Sequence, residues 1–261
     1  KGVVAAEMPA SFQPEALKAQ AVAARTYTIY KMTVDPSSRH PQADVCTDSS
    51  CCKAYITQEK MKENWGDSFD SNFEKISSAV DLTDSQCLVY DGEPILAVFH
   101  SSSPGKTENS GQVWTTQLPY LVSVESPETA DAVPNYVSSV NLSLDDFRQT
   151  VLASYPDASF PDDTSQWVSG TEKDDAGRIS SISIGGVKLA GTDVRKLFSL
   201  RSSSFEISVG DSVTITTTGY GHGVGMSQYG ANIFAAQGKT YDEILKWYYT
   251  GAEIGNISSF L

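Results

Sequence analysis

Basic residues are scarce in this chain: 19 Lys and Arg stand against 32 Asp and Glu, a net charge of −13 over 261 residues. Nucleic acid is therefore a poor partner, since binding it needs Lys and Arg to displace counterions, and anionic membrane surfaces are disfavoured for the same reason. A neutral substrate meets no such barrier. No apolar run approaches about 18 residues, so no membrane-spanning helix is expected within the chain. Cysteine, at four residues, is too rare for a disulfide scaffold, and three of the four are bunched. Internal repeats, heptads and low-complexity tracts are missing. A signal-peptide pattern is missing too, and the chain opens at Lys1-Gly2-Val3 without Met, so an anchor or signal is expected to precede it. What remains, 40% hydrophobic and 20% charged, is ordinary globular composition with enough apolar material for a sizeable core.

The strongest positive signal is a helix. Pro14 suits a first helical turn, where its missing N–H has no partner to lose, and Glu15 complements the positive end of the helix dipole. From Ala16 to Met32 good helix formers run without Gly or Pro, which gives a rod of roughly 28 Å. Charge within it is limited to Lys18, Arg25 and Lys31, so other elements are expected to cover most of its faces. Just ahead of it lies Glu7, in the apolar stretch Val3-Val4-Ala5-Ala6-Glu7-Met8-Pro9, where Pro9 biases Met8 to an extended backbone. A desolvated Glu in that setting stays protonated nearer neutral pH, as a general acid must; a surface or capping acid is the plain alternative.

After the helix, a loop rich in Pro, Ser and Asp holds His40, Cys46, Cys51 and Cys52 within thirteen residues. Imidazole and thiolates at such close quarters are the ligands of tetrahedral zinc, although the spacing matches no standard finger or ribbon. The reading is a structural zinc on His40, Cys46 and Cys52, with Cys51 or solvent completing the shell. A disulfide from Cys46 to Cys51 or Cys52 is the rival, and it leaves His40 without a purpose.

Trp65–Val80 carries Phe69, Phe73, Ile76 and Val80 at helical spacing, with Ser68 or Asp70 placed to cap. Cys87–Tyr90, the turn dipeptide Asp91-Gly92, and Ile95–Phe99 read as a hairpin running into the polar loop His100–Ser110. Val122–Asn135 has linker character. Helices are expected at Leu144–Leu152 and Val194–Leu200, an antiparallel meander between Gln166 and Leu189 with turns at Asp174–Gly177 and Gly185-Gly186, and strands at Phe205–Val209 and Val213–Thr216. Glycine then takes every second position from Gly219 to Gly225. This strips side chains from one face so that a chain or ligand can press against the backbone. No Gly-x-Gly-x-x-Gly fits there and no Gly-Lys-Ser/Thr follows, which excludes the common phosphate loops. Helices at Ser227–Gln237, ended by Gly238, and at Tyr241–Tyr249 complete the chain. The expected class is α+β: a helical core around the Ala-rich helix with antiparallel hairpins, formed by 1–121 and 204–261, and a smaller α/β meander subdomain inserted at 122–203.

Four stretches together resemble the stage II sporulation protein D family. They are Glu7-Met-Pro through Arg25-Thr-Tyr27, Phe99-His-Ser-Ser-Ser through Trp114, Leu189-Ala-Gly-Thr-Asp-Val-Arg195, and Gly219-Tyr-Gly-His-Gly-Val-Gly-Met-Ser-Gln-Tyr-Gly-Ala231. The resemblance implies a peptidoglycan lytic transglycosylase acting in forespore engulfment, with the Glu of Glu-Met-Pro, here Glu7, as catalytic acid. It also implies a transmembrane anchor at the sporulation septum, facing outward, and as partners the amidase stage II sporulation protein P and the membrane protein M. Family members often carry His-Cys where this chain has Cys51-Cys52.

Ser101, Ser102, Lys106, Thr107 and Glu108 of the polar loop, with Tyr220, His222 and Gln228 of the glycine-rich stretch, are the candidate substrate contacts, because many small hydrogen bonds suit a polyol. A hydrolytic glycosidase would need a second carboxylate, for which Glu15, Asp44 or Glu108 are the candidates. A transglycosylase needs one, because the sugar's own hydroxyl replaces water. A noncatalytic glycan-binding module is the third reading.

Overall fold

Pro14 opens the long helix, which continues to Thr33 in the computed structural model describing residues 1–36, 39–49 and 51–261. Ala16, Leu17, Ala19 to Ala24, Thr26, Tyr27 and Ile29 are all buried or nearly so, on every face of the rod. The small Ala side chains let neighbours approach closely. Helices Phe69–Asp81, Gln228–Ala236 and Tyr241–Tyr248 and strand Gln86–Tyr90 all pack on it. The chain divides into two units, the first comprising Lys1–Phe99, Pro119–Val122 and Gln228–Leu261, the second His100–Leu118 and Ser123–Ser227.

In the first unit a short helix, Gly2–Glu7, precedes the rod, and the backbone turns extended at Met8 (φ −124°, ψ 141°), as Pro9 requires. Another helix, Gln58–Trp65, is capped by the Thr57 side chain, so Trp65 ends one helix instead of beginning the next. Ser68 stands at the N-cap of Phe69–Asp81, but its side chain accepts no cap hydrogen bond. The Asp91-Gly92 turn forms with both residues at positive φ (50° and 80°). The returning arm is a strand only at Glu93–Pro94 among the described residues. Ile95 N–H still donates to Leu88 O at 3.2 Å, but the Leu88 N–H goes to Thr26 Oγ1 at 2.8 Å, and beyond this Ala97 and Val98 donate to carbonyls two residues back. Glu253–Asn256 pairs antiparallel with the other edge of Gln86–Tyr90. Gly238, at φ 93°, ends the penultimate helix, and a Thr240–Glu243 capping box starts the last.

The second unit holds two antiparallel sheets. Val137–Leu142, Val213–Thr218 and Phe205–Val209 form one; Val168–Lys173, Ile179–Ile184 and Val187–Ala190 form the meander. Helices Leu144–Ser154 and Gly191–Leu197 join them around a core of Phe147, Trp167, Ile182, Ile184, Val194 and Ile215. The second of these helices starts three residues before the expected Val194. The stretch read as an insertion, 122–203, lies mostly within this unit. Its strand Val137–Leu142 pairs with Val213–Thr218, and that pairing draws the later strands into the same unit. The composition is mixed α+β.

Candidate functional site

Glu7 is the last residue of its helix and is half-buried, while Val4 before it and Met8 after it in the chain are buried. Its Oε1 accepts the Ala54 N–H at 3.1 Å. The segment supplying that N–H packs tightly on the short helix. Ile56 N–H donates to Gly2 O at 3.2 Å, and a Cβ on Gly2 would lie 2.4 Å from the Tyr55 ring. Beside Ala54, the Lys53 ammonium sits between two aromatic faces, 4.1 Å from the Tyr27 centroid and 3.9 Å from that of Phe99. Burial pulls Lys53 down to about 8, and the Glu7 carboxylate and then Cys52 act against that shift. A carboxylate and a caged lysine therefore feel one another, a pairing the sequence reading missed. Lys53 and Glu7 are far apart in the chain, and no periodicity marks Lys53.

Directly before Lys53 comes the cysteine cluster. One ligand atom each from His40, Cys46, Cys51 and Cys52 lies within 4.8 Å of all the others. His40 Nε2 is 3.2 Å from Cys52 Sγ, and its Nδ1 lies 2.7 Å from the Ala43 carbonyl. A proton on Nδ1 bonded to that carbonyl leaves the Nε2 lone pair facing the thiols, the arrangement of a metal-ligating histidine with its outer partner in place. Asp48 O accepts the N–H groups of both Cys51 and Cys52, at 3.0 and 2.8 Å, which turns the pair toward the cluster. All four cysteines of the chain are free thiols. One nitrogen and three sulfurs at this separation suit a closed tetrahedral ion, and Cys51 belongs to the set.

The candidate substrate contacts prove to be of two kinds. Ser102, Thr107 and Glu108 are buried in the second unit. Ser102 exchanges backbone hydrogen bonds with Tyr220 (3.0 and 2.9 Å), and Thr107 Oγ1 accepts Val124 N–H at 2.9 Å. Glu108 lies 3.7 Å from the guanidinium of the equally buried Arg178. Ser101 O accepts the Ser227 hydroxyl at 3.4 Å, and Gln228, buried in the first unit, donates to Gln20 at 3.4 Å. Ser102, Thr107, Glu108 and Gln228 are thus enclosed in the protein's own interior, and Ser101 is half-buried. Lys106, paired with Glu125 at 3.2 Å, is half-exposed; Tyr220 is exposed beneath the Arg201 guanidinium at 4.1 Å; His222 is half-buried with its ring 5.3 Å from Trp114.

The alternating glycines accommodate the chain's own groups. Gly219, Gly221, Gly223 and Gly225 all have positive φ, and a Cβ on Gly223 would lie 2.4 Å from Arg178 Nη2. His100 is fully buried against Val224 O and Ser103 Oγ (3.2 and 2.6 Å), and burial drives it well below its ordinary value. Glu128, read as part of a linker, is buried too, accepting Ser103 N–H at 2.8 Å and the Ser227 hydroxyl. Of the possible second carboxylates, Glu15 is occupied by Lys18 Nζ (2.6 Å) and Tyr241 N–H (2.8 Å), Asp44 is exposed, and Glu108 is tied to Arg178.

Comparison with known proteins gives a consistent answer. The family described as Stage II sporulation protein matches residues 1–90, a span holding Glu7, Lys53 and the whole His/Cys cluster. "Stage II sporulation protein D" of Bacillus subtilis (strain 168) is 40% identical over 261 residues, covering 100% of this chain and 74% of that protein. The protein of the same name from Bacillus amyloliquefaciens is 41% identical with the same coverage. "Amidase enhancer" of Bacillus subtilis (strain 168) is 31% identical over 97% of this chain and 40% of its own length.

Proposed function

Since the chain belongs to the stage II sporulation protein D family and a sporulation role goes with that membership, we propose that it is a lytic transglycosylase of peptidoglycan, with Glu7 as its single acid and base. The supporting observation is Glu7 itself: it is half-buried at a helix end and anchored by one backbone N–H, while in the same unit Glu15 is taken by Lys18 and the Tyr241 N–H and Asp44 is exposed. A hydrolase of the usual kind would need one of them opposite Glu7. In the proposed reaction Glu7 gives its proton to the glycosidic oxygen as the bond from the muramyl C1 breaks. The resulting carboxylate takes the proton of the same sugar's C6 hydroxyl, whose oxygen closes on C1. One bond breaks, one forms, the proton returns to Glu7, and no water is consumed. Lys53 favours the carboxylate stage electrostatically.

His40, Cys46, Cys51 and Cys52 would hold a zinc ion whose contribution is structural, because four protein ligands leave no open position for substrate. It would fix the segment that carries Lys53 and the Ala54 N–H to Glu7. Among the described residues no helix is long and apolar enough to cross a membrane. Placement at the outer face of the septal membrane, and action with an amidase and a membrane partner, extend the same proposal. Mass spectrometry of digested peptide-free strands tests it. Anhydro-muramyl ends are expected; reducing ends would mean a hydrolase, and uncut strands a binding module.

A further inference from the structure

A cleft of about 500 Å³ lies within the second unit, lined by Trp114, His222, Thr192, Arg195, Lys196 and Ser199 among others. That volume is within the range of small-molecule sites and suits a sugar unit. Two adjacent cations stand on its wall. In a chain of net charge −13, Arg195 and Lys196 form no ion pair among the described residues. Arg195 is held in place: its Nε donates to Leu200 O at 3.3 Å, while Leu200 N–H donates back to Arg195 O at 2.9 Å. Its outer nitrogens donate no hydrogen bond among the described residues, and the residue lines the cleft. Trp114, 37% exposed, offers a ring face, and Thr192 and Ser199 bring hydroxyls. Completing the helix dipole at the end of Gly191–Leu197 would explain one of the two cations. It does not explain a guanidinium, an ammonium, an aromatic face and two hydroxyls around one cleft.

Resting on the reading of muramyl glycan as substrate, we infer that this cleft binds a hexose unit carrying a carboxylate, namely the muramyl unit of a peptide-free strand. A strand stripped of its stem peptides is not neutral. Cleavage of the lactyl–peptide amide leaves a lactyl carboxylate on each muramyl unit. An Arg fork matches a carboxylate bidentately, and the Trp face covers the apolar side of the ring. With the peptide still attached, the same position is an uncharged amide followed by bulk.

The test is calorimetric titration of the full chain carrying Glu7→Gln, which removes turnover, with a peptide-free muramyl disaccharide and with the same disaccharide whose lactyl carboxylate is converted to the primary amide. The carboxylate form is expected to bind at least tenfold tighter, with the preference shrinking as salt rises. Arg195→Gln, added to the Glu7→Gln chain, should reduce the ratio to near one. Lys196→Gln, at an exposed side chain that folding does not depend on, should reduce it in part even if the Arg195 variant fails to fold. Equal affinity for the two forms, or binding of neither, overturns the inference. Product analysis of the wild-type protein is a separate readout: a carboxylate preference without anhydro ends would refute the transglycosylase reading and leave the cleft assignment standing.

Discussion

Glu7 has little around it that a change of one atom should disturb. Among the described residues its hydrogen bond comes from the backbone N–H of Ala54, which a Gln oxygen also accepts. Glu7→Gln should therefore fold normally and lose roughly 10²-fold or more in rate, since its proton chemistry is gone together with the charge that Lys53 feels; near wild-type turnover by a folded variant would exclude the role. Lys53→Met keeps the stem between Tyr27 and Phe99 and removes the charge. A loss of about tenfold in kcat with little change in KM is expected, and an unchanged kcat would remove Lys53 from the account. Glu108 shows its burial through pH. Burial first, and then the neighbouring Asp174, raise it from its ordinary 4.5 to about 8. Between those values the folded protein holds a proton that the unfolded chain has released, so stability falls as pH rises through this window. Thermal midpoints measured from pH 5 to pH 8 should decline in the wild type, and more shallowly in Glu108→Gln. Identical slopes would contradict the assignment.

Among the elements, the His/Cys loop and the glycine-rich stretch carry the most consequence. The loop passes from Cys52 straight into Lys53 and Ala54, so chelation or Cys46→Ser should lower melting temperature and activity together without moving the pH optimum. Activity lost at full stability would point instead to a metal in the chemistry. In the glycine-rich stretch, Gly223→Ala forces a side chain onto a backbone at φ 87° and into the Arg178 guanidinium, and should cost about 2 kcal/mol or more in chemical denaturation. These elements also show what a reader of the sequence can see. The central helix, its Pro14 start, the Asp91-Gly92 turn, the meander and the metal-type cluster all announce themselves through local residue chemistry. Helix Gly2–Glu7 is too short to show a period, and strand Val137–Leu142, half serine and asparagine, has no strong apolar face. The inward turn of Glu108, Glu128 and His100 depends on partners far along the chain, notably Arg178 and Ser227. Polar residues in a loop suggest solvent until such partners are known.

For the whole molecule, charge and chemistry set the choice of strand. Stem peptides add carboxylates to a substrate approaching a protein of net charge −13, so peptide-bearing strands should be cut more slowly at low salt, with the gap narrowing as screening shortens to about 10 Å at 0.1 M. A gap that ignores salt would make the discrimination steric. The central claim is that one carboxylate cuts the strand without water. Digestion of peptide-free glycan in oxygen-labelled water tests this directly, with the new ends read by mass spectrometry. The account predicts unlabelled 1,6-anhydro-muramyl ends, abolished in Glu7→Gln; labelled reducing ends would contradict it.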